Sequence, residues 1–239
     1  MFNQTVAMLT VRATLGRRRA LLFAIPAVAL IALTLAVRAT HPAGTSWAAQ
    51  VLGDFGFSVL LPLTALILGT GVLGAEIDDG SALHLLATPV SRSSIVVTKF
   101  AVAAVLTMAF AAVPELIAGL LAPSGGRLAV ALFIGALAGS VIYNAVFVLA
   151  SVVTSRAIAV GLLYVLIWEG LLGNLVGGAR ILSVAHYSLG IANAIYPDKN
   201  LNAGLGLTTS VTLGVVVTVA ALVLASRRLS AFAIQGEPA

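Results

Sequence analysis

The chain has 239 residues, of which 60% are hydrophobic and only 9% are charged, and its mean hydropathy is +1.12. Soluble domains carry about 25% charged residues, so this composition excludes an ordinary soluble domain and predicts an integral membrane protein. The net charge of +5 does not indicate nucleic-acid binding, because the basic residues flank apolar segments and form no patch with interleaved aromatic residues. The absence of cysteine excludes disulfides, thiolate zinc sites and cysteine nucleophiles.

The N-terminal segment, residues 2–18, mixes apolar and basic residues, and this pattern predicts a helix lying at the membrane interface. Arg17, Arg18 and Arg19 then precede an apolar run over residues 20–37. That run exceeds the usual signal-peptide core of about 7–15 residues, and no small-x-small cleavage site follows it. We therefore expect it to remain in the protein as a transmembrane helix.

Six apolar segments are long enough to cross a bilayer, which needs about 20 residues per helix. They are residues 20–37, 55–75, 94–120, 128–153, 157–176 and 205–225. If the N-terminus is inside, nine of the 13 basic residues are cytoplasmic, and the positive-inside rule then predicts that both termini are cytoplasmic. The four basic residues expected outside are Arg38, Arg127, Arg180 and Lys199. The predicted fold is a single all-α transmembrane domain over residues 1–239.

The cytoplasmic connector of residues 76–93 is a short amphipathic stretch between two apolar spans. It opens with acidic residues and a glycine typical of a helix start, continues with leucines at near-helical spacing, and closes with a proline and a serine cap. A connector this short needs no helix merely to join two spans, so we expect a partner to dock on it. The residues that define the pattern are Glu76, Asp79, Gly80, Leu83, Leu86, Pro89, Ser91 and Arg92.

The connector of residues 177–204 is too polar to span a membrane and too apolar for a free loop. Because bare backbone cannot face lipid, this segment predicts short helices that dip into the outer leaflet and pack on protein. Two glycine pairs, Gly135-x-x-x-Gly139 and Gly173-x-x-x-Gly177, would allow helices to approach closely.

Motifs of soluble enzymes are absent from the sequence. There is no GxxxxGK[ST] motif and no G-x-S-x-G motif, so the sequence predicts neither ATP hydrolysis nor a serine nucleophile on this chain. The three histidines, His41, His84 and His186, are far apart and lack the spacing of metal ligands. We therefore expect no catalytic residues and no bound cofactor or metal on this chain.

Two polar residues within predicted spans have a structural and a functional interpretation. Glu115 follows Pro114 and lies about 32 Å along its span at 1.5 Å per residue, which favours an interfacial position beside a proline kink. Asn144 lies in the middle of its span, where a buried amide commonly links helices. The functional alternative for both is a place in a translocation path or at an outer gate.

Glu169 lies deeper, about 18 Å into the fifth predicted span. A charge at this depth needs a partner, and Arg180 or His186 on the returning outer segment could supply it. Glu169 would then either anchor the outer segment to the helix bundle or contribute to the substrate path or outer gate.

These features resemble the membrane subunit of type-2 ABC exporters, the six-span permeases of bacterial drug and antibiotic efflux systems. The outer segment 177–204, entered through Trp168-Glu169-Gly170, is similar to the family's re-entrant hairpin, and the 2–18 helix is similar to its interfacial elbow helix. The residues that resemble the family's cytoplasmic coupling segment are Glu76, Gly80, Leu85-Leu86 and Pro89-Val90-Ser91-Arg92.

The resemblance implies that two permease subunits, identical or paralogous, enclose a translocation path in the bacterial plasma membrane. It also implies that two cytoplasmic ABC ATPase subunits bind the coupling segments and carry the ATP and Mg. The missing nucleotide-binding motif agrees with a nucleotide site on a separate chain. The alternatives are an ion-coupled secondary transporter, an intramembrane enzyme, or an accessory membrane subunit without its own transport.

Overall fold

The computed structural model describes residues 4–14, 17–41, 46–78, 91–172, 177–201 and 203–234. Every regular element among these residues is helical. Short 3-10 turns at Gly177–Leu182 and Lys199–Leu201 flank the seventh helix. The helices are α1 (Gln4–Thr14), α2 (Arg17–Thr40), α3 (46–78), α4 (92–121), α5 (Gly126–Val153), α6 (157–172), α7 (Val184–Ile195) and α8 (Leu207–Ile234).

Three helices contain a π-helical stretch, an irregularity that is frequent at functional sites. These stretches are Gly56–Leu60 in α3, Met108–Ala112 in α4 and Tyr164–Leu172 in α6. In α4 the stretch ends two residues before Pro114, which has no N–H to donate to the preceding turn. The proline predicted to kink this span therefore coincides with a local change of helix type.

Within the part of the chain that the structure describes, five helices are long and apolar enough to cross a membrane, so the chain is a multi-pass membrane protein. The candidate spans are Phe23–Thr40, Trp47–Gly74, Arg92–Leu121, Gly126–Val153 and Leu207–Ser230. The segment predicted as a further span at 157–176 forms a shorter apolar helix, Ala157–Leu171, within the described residues. The predicted N-terminal helix is present as α1, separate from the first span.

The predicted connector of residues 38–54 is wrong over most of its length. Helix α2 continues to Thr40, and α3 begins at Ser46, well before the predicted start of the second span. The early part of α3 is amphipathic: Ala48, Ala49 and Leu52 are buried on one face, while polar side chains lie on the other. A simple count of apolar residues misses a helix that is half polar.

Helix α5 lies at the centre of the bundle and packs against α3, α4, α7 and α8. In an apolar 18-residue stretch of each span, 61% of the residues are buried in α3, α4 and α5, compared with 22% in α2 and 17% in α8. The exposed faces of α2 and α8 are largely apolar, as expected for helices that face lipid or another subunit.

Helix α7 is enclosed by the bundle and runs antiparallel to α5. Its last carbonyl, on Ile195, accepts a hydrogen bond of 3.0 Å from Arg127 Nε near the start of α5. About two and three turns further along α5, a Cβ at Gly135 would lie 2.7 Å from the Ser188 carbonyl oxygen, and one at Gly139 would overlap Ser188 Oγ. The close helix approach predicted for this glycine pair is confirmed; of the second pair, Gly173 lies outside the described residues.

Candidate functional site

Five residues of the predicted docking segment lie outside the described residues: Asp79, Gly80, Leu83, Leu86 and Pro89. The two ends of the segment are visible. Glu76 belongs to the last turn of α3, and Arg92 is the first residue of α4. Ser91 occupies the predicted N-cap position of α4 in extended backbone (φ −63°, ψ 140°), although its side chain makes no capping hydrogen bond.

Lys99 joins the two helices that lead into and out of this segment. Its Nζ donates a hydrogen bond of 2.6 Å to the carbonyl of Val72 in α3, and the residue is only 1% exposed. Lys99 is one of the nine basic residues predicted on the cytoplasmic side, and its side chain is enclosed by protein instead of being exposed beside the span. The sequence position of Lys99 already indicates this burial, because Lys99 lies seven residues, or about 10 Å, inside a helix that starts at Arg92.

Asn144 is fully buried on α5, where α3 and α4 both approach it. Its Nδ2 donates to Thr107 Oγ1 on α4 at 2.8 Å and to the Ser140 carbonyl of its own helix at 2.7 Å. A Cβ at Gly69 of α3 would lie 3.1 Å from its Oδ1. These contacts agree with the helix-linking interpretation of Asn144.

Glu169 joins α6 to the first turn of α7. One carboxylate oxygen accepts hydrogen bonds from Tyr164 Oη and the Val184 N–H, both at 2.9 Å. The other accepts from Ser183 Oγ at 2.6 Å and from the Ala185 N–H at 3.2 Å. The first N–H groups of a helix have no partner within the helix, and the carboxylate accepts hydrogen bonds from two of them in α7. Its negative charge also interacts favourably with the positive end of the helix dipole.

Of the two partners expected for Glu169, His186 lies next to this contact. His186 reaches it through Ser183, whose Oγ lies 2.8 Å from His186 Nδ1 and accepts from the His186 N–H at 3.3 Å. Burial lowers the pKa of His186 to about 4, and the charge of Arg180 acts in the same direction. Because Ser183 donates its proton to Glu169, the neutral ring donates from Nδ1 to Ser183. Arg180 packs against Gly204, whose positive φ of 67° suits glycine.

The described residues around Glu115 supply none of the hydrogen-bond donors that surround Glu169. It is fully buried, and neither carboxyl oxygen has a hydrogen-bond partner among the residues that the structure describes. A Cβ at Gly56 of α3 would overlap Glu115 Oε1, so the carboxyl group occupies the space that the missing side chain leaves. Neighbouring helices therefore enclose the side chain, while its depth near the membrane interface stays a prediction.

Two of the four arginine and lysine residues predicted outside lie at the same end of the bundle and bind helix C-termini. Arg38 Nη1 donates to the Leu121 carbonyl at the end of α4 at 2.6 Å, and Arg127 donates to the end of α7. A cation at a helix C-terminus complements both the free carbonyls and the negative end of the dipole. Within the described residues, no cluster of three or more histidine or carboxylate side chains could hold a metal ion.

Buried polar residues inside an all-helical, multi-pass bundle define a class of membrane proteins that includes transporters. The comparison with known families narrows this class. Residues 15–176, about two thirds of the chain, match the model of the ABC-2 family transporter protein. The chain therefore belongs to the ABC-2 family, whose members are membrane transport components of ABC transporters. No curated protein is significantly similar to the chain.

Proposed function

We propose that this chain is the permease subunit of an ATP-driven exporter in the bacterial plasma membrane, with substrates of the drug or antibiotic kind. Membership of the ABC-2 family is the observation that carries this proposal. Two permeases, either identical or paralogous, enclose the translocation path, and separate cytoplasmic ATPase subunits bind ATP and Mg. The exposed apolar faces of α2 and α8 supply surfaces for lipid and for the second permease.

The proposed topology has six crossings with both termini in the cytoplasm, and α7 is a re-entrant helix entering from outside. The geometry of α7 supports this arrangement. Its 12 residues are about 18 Å long, too short for a core of about 30 Å. Its C-terminus lies beside Arg127 at one end of α5, and Ser188 lies beside Gly139, about 20 Å further along.

The proposed coupling site is the segment 76–92, which docks on the ATPase through its leucines while α1 contacts the same partner. Closure of the ATPases on ATP would move this segment as a rigid lever. The hydrogen bond from Lys99 to the Val72 carbonyl supports this mechanism, because it ties α3 to α4 near the base of the lever. A push on the segment would therefore move both helices together.

The outer segment 177–204 is the proposed outer gate, with Glu169, Asn144 and Glu115 as the polar residues of the path or gate. The hydrogen bonds of Asn144 and Glu169 favour supporting roles, since both side chains bind groups of their own chain. Opening the gate would then require α7 to move together with α6, to which Glu169 fastens it.

The test of this function is co-purification of the tagged protein from its native membranes in a mild detergent, followed by mass spectrometry. We expect a stoichiometric P-loop ATPase with the natural chain. The variant Leu83→Glu/Leu86→Glu should lose the ATPase, because charges in the docking face oppose burial. The matched control is Ser155→Glu in the exposed turn after α5, predicted on the same side of the membrane.

Retention of the ATPase by Leu83→Glu/Leu86→Glu would contradict the docking site. Absence of any ATPase from the natural chain, in several detergents and with ATP trapped, would contradict the exporter and favour an ion-coupled transporter or an accessory subunit.

A further inference from the structure

Glu115 is fully buried, and no described residue donates a hydrogen bond to its carboxyl group. It lies three residues after the π-helical stretch of α4, and its contact on α3 begins another such stretch at Gly56. An ionised carboxylate without hydrogen-bond donors in a low-dielectric interior is strongly disfavoured. A protonated carboxyl is neutral, so its burial costs far less.

The packing at Gly56 limits what this carboxyl can bind. Because a single added carbon would overlap Oε1, no room remains on that side for an organic ligand. A metal ion would need several further ligands, and Glu115 belongs to no cluster of three or more histidine or carboxylate side chains among the described residues. A proton is the ligand that requires no additional space.

Among the residues that the structure describes, the charged groups on the neighbouring helices do not compensate a negative charge on Glu115. Helices α2, α3 and α5 pack against the outer part of α4, and their charged residues at this end are Arg38, Asp54 and Arg127. All three are exposed, and both arginines use their guanidinium groups on helix C-terminal carbonyls. Asp54, two residues before Gly56, has the same charge sign as an ionised Glu115 and would oppose its ionisation.

We propose that Glu115 is a proton-binding site of the helix bundle, occupied by a proton while α3 and α4 are packed together at Gly56. When this contact opens to water, an O–H bond of the carboxyl breaks, its electron pair stays on the oxygen, and water takes up the proton. Repacking of the two helices then takes up one proton per chain. The site does not depend on the proposed ATP coupling, because it follows from the packing of this chain alone.

Infrared spectroscopy of the full chain in lipid bilayers at neutral pH tests the proposal. We expect a C=O stretching band of a protonated carboxyl that shifts in D₂O and is lost in Glu115→Gln. The matched control is Glu169→Gln, which should leave the band in place, because both oxygens of Glu169 already accept hydrogen bonds. Identical spectra of the natural chain and Glu115→Gln would overturn the proposal.

A second measurement needs no change at Glu115. Labelling the side-chain carboxyl carbon of the four glutamates with ¹³C should shift the same band in the unmutated protein. In Gly56→Ala the added methyl group displaces the carboxyl, so the band should move or disappear, whereas Gly71→Ala on the same helix should leave it unchanged. A labelled natural chain without any protonated glutamate band would also overturn the proposal.

Discussion

Glu169 and Glu115 are both buried carboxyl groups on apolar helices, yet their surroundings differ completely. Glu169 accepts four hydrogen bonds, two of them from the first turn of α7. Glu115 has no hydrogen-bond partner within the described part of the chain and lies against the backbone of Gly56. Burial alone therefore does not define the role of a carboxyl group; the number of donors around it does.

The difference follows from what each neighbour offers. The N-terminus of α7 supplies backbone N–H groups and the positive end of a helix dipole, and Ser183 adds a hydroxyl group. The side of α3 that faces Glu115 supplies a glycine within a helix, whose own N–H groups already serve the helix. Glu169 is thus suited to hold two segments together, and Glu115 is suited to change its protonation.

The largest expected effect is the loss of stability when Glu169 is replaced by glutamine, and the same replacement of Glu115 serves as the comparison. Glu169→Gln replaces one acceptor oxygen by an NH₂ group that faces hydrogen-bond donors, so it should reduce the free energy of unfolding by about 2–4 kcal/mol. Glu115→Gln replaces a neutral group by one of similar shape and should change it by less than about 1.5 kcal/mol. Thermal unfolding of both variants in the same detergent measures the difference.

Equal losses of stability in the two variants would remove the distinction between the sites. A large loss in Glu115→Gln alone would mean that this carboxyl is ionised and paired, contrary to its surroundings in the structure. Folding of Glu169→Gln is checked independently by size-exclusion chromatography before the unfolding is measured.

An intermediate loss of stability is expected when Gly56, which lies against the Glu115 carboxyl group, is replaced by alanine. Gly56→Ala places a methyl group where Oε1 lies, and the forced shift should reduce the free energy of unfolding by about 1–3 kcal/mol. Gly71→Ala, also on α3, meets no atom within 4 Å and should be neutral or stabilise the helix by up to about 1 kcal/mol.

The double variant Gly56→Ala/Glu115→Ala isolates the contact between the two residues. Removing the carboxyl frees the space for the methyl group, so the double variant should lose less stability than the two single variants added together. Additive losses would show that the clash at Gly56 involves other groups, and the enclosed position of Glu115 would then need another explanation.

The sequence predicted the parts of this molecule that depend on composition and spacing. Long apolar runs predicted the membrane class, and the small residues at Gly135 and Gly139 predicted a close contact that the structure places against Ser188. The start of α3 was missed because an amphipathic helix buries only one face, so Ala48 and Leu52 do not form an apolar run.

The two carboxyl sites depend on contacts between distant parts of the chain, which spacing along one helix cannot reveal. Glu169 was recognised as a residue that needs a partner, but Val184 and Ala185 supply backbone groups that have no signature in the sequence. Glu115 was placed at the interface because its distance along α4 was known, whereas the enclosing contact comes from Gly56 on another helix.

The smallest expected effect separates the contributions within the Glu169 contact. Ser183→Ala removes one donor to Glu169 and the N-cap of α7 while leaving both backbone donors in place, so the loss should be about 1 kcal/mol. Ser188→Ala is the matched control, since its hydroxyl group donates only to the Val184 carbonyl of the same helix, and it should cost about half as much or less. A loss in Ser183→Ala as large as that in Glu169→Gln would mean that the hydroxyl group, and not the backbone of α7, provides most of the anchor.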